Sequence, residues 1–211
     1  MEISKLKEFL QFVDAKDFEK EVDLHIHTSC SDGKLSTVDV IKKVINEGYK
    51  TISITDHNTI EAYKHLESLD CNGLNIIKGV EFDCWHGYTL LHILGYGIDI
   101  NNVELLNICA KSKIATEADI VRFFNKRKAK DVIKVIKHAG GIPVLAHPAC
   151  CWNLNIKKMV QKLMGYGLEG LEVYYPYKRH RGIIKFYTNH YIDQLADEFC
   201  LLKTGGSDRH Y

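Results

Sequence analysis

Short runs of alternating apolar and polar residues recur along the chain, separated by stretches with helical spacing. In EVDLHIH (21–27), Val22, Leu24 and Ile26 fall on one side of an extended chain, and Asp23, His25 and His27 on the other. The same period predicts strands at KTISIT (50–55), NIIKGVEF (75–82), TLLHILGYG (89–97), IPVLAH (142–147), LEGLEVYY (168–175) and FCLLKTGG (199–206). Between them, helical spacing predicts a lead-in over 4–20 and helices at Val38–Glu47 and 61–69. One or two helices are expected over 103–139, then one at 155–165 and a long one over 182–198. Strands that alternate with helices predict a mainly parallel α/β sheet, either open or closed into a barrel.

Composition narrows this only a little. The chain has 211 residues, which suits one domain over 1–211, with 1–20 as the helical lead-in. The net charge of +1 supplies no global field toward nucleic acid or an anionic membrane. No apolar run is long enough to span a bilayer, and the first residues lack a signal-peptide pattern. Seven cysteines at irregular spacing, with no CxxC, predict a reduced cytoplasmic protein in which they are small buried hydrophobes.

The polar residues change the picture more. Each predicted strand delivers a His, Asp or Glu near its C-terminal end: His25 and His27 with Asp32 beyond, Asp56 and His57, Glu81, His92, His147, Glu172, and finally Asp208 and His210. That edge is where parallel α/β folds build active sites. A lone His92 would ordinarily be a hydrogen-bonded core residue, and a lone Glu172 half of an ion pair. Coincidence at strand ends favours a shared role, and His65, His86 and His138, which fall elsewhere, serve as controls. Buried carboxylates are penalised unless a cation faces them. Imidazole with carboxylate and no thiolate suits Mn, Fe or Zn, and the ligands outnumber one tetrahedral ion, so two or three divalent metals are expected. Adjacent divalent ions suit phosphoester hydrolysis.

VDLHIHTSCSDG, ITDHNT, GVEF, LHILGYGID, GGIPVLAHP, LEVYYP and TGGSDRH occur in this order over residues 22–210. This series resembles the PHP family, named for polymerase and histidinol phosphatase domains, and within it the small stand-alone metal-dependent phosphoesterases. The resemblance implies a distorted seven-stranded (β/α)7 TIM-like barrel with a trinuclear site at the C-terminal ends of the strands. It implies that His25, His27, Glu81 and Asp208 hold one metal, that Glu81, His92 and His147 hold a second, and that Asp32, His57 and His210 hold a third. Glu81 and Asp208 would be the catalytic carboxylates, Asp56 and Glu172 would orient ligands, and a metal-bridged hydroxide would attack phosphorus in line.

The stretch 97–139 is short for this subgroup and predicts a more open site; the last loop, ending just after His210, is expected to fray. Lys178, Arg179, Arg181 and Arg209 are candidate phosphate contacts. The basic run 122–137 is expected to be a solvated helix face, with Phe123 and Phe124 in the core. The implied partner is a small phosphorylated substrate, a nucleotide or short oligonucleotide among them, with no membrane and no obligate protein partner. The leading function is hydrolysis of a phosphomonoester or nucleotide-type phosphate. The alternatives are an exonuclease-like phosphodiesterase, a histidinol-phosphatase-like activity, or a non-catalytic metal-stabilised binding module.

Overall fold

The alternating runs become strands in a computed structural model that describes residues 2–66, 69, 71, 73–176 and 186–211. The lead-in is two helices, α1 (Ile3–Phe12) and α2 (Ala15–Lys20), because the Asp14 carboxylate accepts from the first N–H groups of the second and restarts the helix. Then come β1 (Val22–Ile26), α3 (Thr37–Asn46), β2 (Thr51–Ile54), β3 (Asn75–His86) and β4 (Thr89–Tyr96). The segment after β4 carries four short helices instead of one or two: α4 (Val103–Ile108), α5 (Ile114–Glu117), α6 (Asp119–Phe123) and α7 (Ala129–His138). The chain continues through β5 (Ile142–Leu145), α8 (Ile156–Met164), β6 (Gly170–Tyr174), α9 (Asn189–Glu198) and β7 (Leu202–Gly205). The helix expected at 61–69 is only a 3-10 turn over Glu61–His65, and the start expected for the long helix near Gly182 lies outside the described residues.

The seven strands form one sheet in chain order. Pairs β1–β2, β2–β3, β5–β6 and β6–β7 are parallel, but β3–β4 and β4–β5 are antiparallel. The sheet is mainly parallel, as expected, except at its centre, where β4 runs against both neighbours. The cause is local: only Gly87 and Tyr88 separate His86 from its partner Thr89, and so short a connection permits only a hairpin. Gly87 supplies the left-handed backbone this turn needs, with φ +60°. The outer strands β1 and β7 form no ladder, although two backbone bonds tie the end of β1 to the segment after β7: His27 N–H to Arg209 O (2.9 Å) and Asp208 N–H to His25 O (2.8 Å).

Period-2 alternation divides the core. Val80, Phe82, Leu91 and Ile93 pack in the larger apolar cluster with residues of α3, α7, α8 and α9. Ile77, Leu94, Tyr96, Ile142 and Val144 form a second cluster closed by Leu6 and Leu10 of α1. On β3 the face that starts at Ile77 continues to Glu81 and Asp83; on β4 the face that carries His92 continues to Leu94 and Tyr96. One face of the sheet is thus apolar toward α1 and ionisable at the other end. Among the described residues no helix is long and apolar enough to cross a membrane.

Candidate metal centre

Glu81 stands at the middle of the ionisable end, fully buried on β3. Its Oε2 lies 3.2 Å from His25 Nε2, 3.3 Å from His27 Nε2 and 3.3 Å from His57 Nε2. Its Oε1 lies 3.1 Å from His92 Nδ1 and 3.3 Å from His147 Nε2. One carboxylate therefore separates two groups of imidazoles. Asp208 Oδ1 closes the first group, 3.1 Å from His27 Nε2 and 3.5 Å from His25 Nε2. A neighbouring set joins His27, Asp32, His57 and His210, with His210 Nε2 3.2 Å from Asp32 Oδ1.

The fold explains how these side chains converge. His25 and His27 come from the end of β1, and His57 from the turn after β2. His92 lies in the first half of β4, not at a strand end as expected. Because β4 runs antiparallel, its first half reaches the edge where the parallel strands finish. His147, Asp208 and Asn58 adopt left-handed backbone, with φ of 29°, 49° and 57°. Such strain gathers at sites that the surrounding structure over-determines. Gly206 passes so close to His25 that any Cβ would collide with the histidine's backbone and Cβ.

A second set of polar groups fixes the first. Glu172 Oε1 lies 2.8 Å from His25 Nδ1, and its Oε2 accepts the His147 backbone N–H at 2.7 Å. The Tyr175 hydroxyl donates to Asp208 Oδ2 at 2.6 Å. Asp56 accepts from the Thr28 N–H (2.7 Å), the Thr28 hydroxyl (2.7 Å) and the Ser31 hydroxyl (2.6 Å), which sets the loop carrying Asp32. The last loop is pinned, not frayed: Lys34 N–H donates to the carbonyls of His210 and Tyr211.

The electrostatics favour a cation. Burial opposes protonation of His27, yet Asp208 and Glu81 raise its pKa to about 10. Burial likewise opposes a charge on His25, and Glu172, Glu81 and Asp208 raise it well above the ordinary value. Burial works against ionisation of Glu81, but His57, His25 and His92 hold its carboxyl well below the usual range. A field that retains a proton on these rings also stabilises a metal ion bound to them. Both ring nitrogens of His27, together with His57 Nδ1 and Asp83 Oδ1, are buried without a hydrogen bond. Ligand-capable atoms left in that state fit a divalent ion, and imidazole with carboxylate suits a transition metal.

The sequence model of the PHP domain family matches residues 23–194. The chain belongs to the PHP domain family. A 5'-3' exoribonuclease of Haemophilus influenzae is 28% identical over 109 residues, 51% of this chain and 39% of the relative. The chain spans well under half the length of the first curated exoribonucleases it matches. A phosphoribosyl 1,2-cyclic phosphate 1,2-diphosphodiesterase of Eggerthella lenta is 21% identical over 254 aligned positions, covering 89% of this chain and 93% of the relative. The solved structure of an amidohydrolase from Chromobacterium violaceum superposes with a TM-score of 0.74 at 19% identity, covering 90% of this chain and 87% of that one. At that identity it shows a shared fold.

This PHP domain holds two site residues that the sequence reading missed. Asp83 Oδ1 lies 3.2 Å from His57 Nδ1 and 3.1 Å from His92 Nε2, while its Oδ2 accepts from Asn58. Its signal was present: Asp83 follows Glu81 by two, as His27 follows His25. Arg122 on α6 is buried, with Nη1 2.6 Å from Asp32 Oδ2 and Nη2 2.6 Å from Asp119 Oδ1. No local pattern announces its place at the site, since Asp32 lies in another loop. The short 97–139 stretch thus does reach the site. Phe123 and Phe124, expected in the core, are 48% and 72% exposed, because burying Arg122 turns its neighbours outward. Arg209 is committed elsewhere: its guanidinium donates to Glu47, to Tyr49 Oη at 2.6 Å and to Tyr211 Oη at 2.8 Å. Lys178, Arg179 and Arg181 lie outside the described residues. His86, expected away from the strand ends, instead closes β3, and among the described residues it belongs to none of these groups.

Proposed function

We propose that this PHP domain is a metal-dependent phosphoesterase that hydrolyses a phosphomonoester or nucleotide-type phosphate. The observation that carries this reading is Glu81, whose two carboxylate oxygens face separate imidazole groups and so define adjacent cation positions. In this reading His25, His27, Asp32, His57, Glu81, His92, His147, Asp208 and His210 hold two or three ions of Mn, Fe or Zn. When bound, such ions supply Lewis acidity toward phosphate oxygens and lower the pKa of the attacking water. The chain's own part is to fix ligand directions. Glu172 orients His25 and His147, Tyr175 orients Asp208, and Arg122 offsets the charge of Asp32. Glu81 and Asp208 stand at the reacting centre.

The curled sheet is read as a distorted seven-stranded barrel whose seam is the backbone link between β1 and the loop after β7. Residues 1–211 are read as one domain working in the cytoplasm. A second reading is an exonuclease-like phosphodiesterase. One feature favours it: Lys126, Arg127, Lys128 and Lys130 line a groove that includes Trp85, suited to a nucleic-acid backbone. Steep salt dependence of substrate binding would select that reading over a small-molecule phosphatase.

The test is phosphate release from phosphomonoesters, nucleotides and short oligonucleotides by Mn-loaded protein, beside Asp208→Ala, with metal content measured for both. Turnover by the parent and a loss of at least about a hundredfold in the variant are expected. No turnover in protein that holds its metals would overturn the reading in favour of a binding module.

A further inference from the structure

Beside His92 and His147 the surface opens into a cleft of about 510 Å³. Its walls include Trp85, Tyr88, Phe123 and Trp152, and among the described residues its lining contains no Asp, Glu, Asn, Gln, Lys or Arg. Trp152 is 68% exposed, so this ring is held at the surface and not in the core. Trp85 packs edge to face against Phe123, with ring centroids 5.1 Å apart and planes at 81°. The Trp85 indole N–H donates to the Phe123 carbonyl at 3.2 Å. That bond fixes the ring and leaves its face, not its donor, for a ligand. An exposed cluster of large rings against a polar centre marks a binding surface.

The cleft shares His92 and His147 with the candidate metal centre, so a group held there lies directly beside the place where a substrate phosphate would sit at Glu81. Flat π-faces match a planar heterocycle better than an aliphatic chain or a bare sugar. We propose that the cleft holds the nucleobase of a nucleotide substrate by stacking on Trp152 and the Trp85–Phe123 pair, without reading which base it is. Recognition of a particular base needs hydrogen-bonding groups aimed at its edge. Among the described residues the lining offers no amide, carboxylate, lysine or arginine side chain for this, and His92 and His147 face Glu81. Stacking tolerates every base because every base has a π-face. The proposal rests on the phosphoesterase reading only for the presence of the phosphate.

The chain has two tryptophans, and both line this cleft, so its intrinsic fluorescence reports on the cleft directly. Metal-loaded protein would be titrated with adenosine, guanosine, cytidine, uridine and ribose, none of which carries a phosphoester. All four nucleosides should quench, with dissociation constants within about fivefold of one another, and ribose should not. Trp152→Ala should weaken nucleoside binding by about tenfold, read from the remaining Trp85, and Trp152→Phe should restore most of it. Absence of quenching would overturn the proposal. So would quenching by ribose, one nucleoside bound more than about tenfold tighter than the others, or an unaffected Trp152→Ala. Quenching in a protein that hydrolyses no phosphoester would keep the stacking site and discard the phosphoesterase reading.

Discussion

Glu172 divides its two oxygens between His25 Nδ1 and the backbone N–H of His147, and so couples two candidate ligands from opposite sides of Glu81. Replacing it with Gln keeps the shape but removes the charge that sets the imidazole. Glu172→Gln should lower metal affinity by about 10- to 100-fold while the fold survives, measured by competition with a chromogenic chelator. Arg122 gives a different test. It lies between Asp32 and Asp83, with Nε 3.8 Å from Asp83 Oδ2, and its removal leaves two acidic groups without that cation. Arg122→Ala should destabilise the metal-free protein by about 3 kcal/mol in urea denaturation, and added metal should recover part of the loss. His25, Glu81 and His92 stood out because an ionisable side chain interrupts an apolar alternation, and the full set of nine ligand candidates came from the resemblance to the PHP motifs. Arg122 was not legible, because its burial depends on a contact with Asp32 that no local pattern encodes. The cysteines were legible in part. Cys84 and Cys151 are buried, and burial pushes the Cys151 thiol up to about 12, but Cys200 is exposed. A thiol reagent should therefore modify Cys200 in the native protein and reach Cys84 and Cys151 only after unfolding.

The seven strands were readable from alternation, but their directions were not, since direction depends on the connections. The Gly87–Tyr88 turn reverses the chain within two residues, and α4 to α7 then bring it back as β5, antiparallel again to β4. Helix α1 shows the opposite case. Its amphipathic spacing was clear, but not what it covers: Leu6 and Leu10 close the apolar cluster of Leu24, Ile77, Leu94 and Tyr96. The Tyr96 hydroxyl donates to the Leu24 carbonyl at 3.0 Å within that cluster. Leu6→Ala should cost about 3 kcal/mol of stability, seen as a lower denaturation midpoint with little change in metal content. A loss of metal from that variant would mean that the two ends of the sheet are coupled.

In the whole molecule, cations placed among the buried carboxylates and imidazoles would stabilise the native state and have no comparable site in the unfolded chain. Thermal unfolding should therefore shift upward with free Mn concentration and downward with chelator, in proportion to the logarithm of free metal. A flat response would argue against binding at this centre. The sequence suggested one mouth shared by all the strands, and side chains from along the whole chain do meet around Glu81. What it could not convey was the link between the end of β1 and the segment after β7, because a backbone bond between His27 and Arg209 leaves no mark on either residue type. That link has a consequence for biosynthesis. His25 and His27 are made long before Asp208 and His210, yet they face one another across the same small volume. A nascent chain therefore carries only part of this candidate site until the segment after β7 has been made. Metal held by His25, His27 and Asp208 together would then have to enter after that segment is made, from whatever ions surround the chain at that moment.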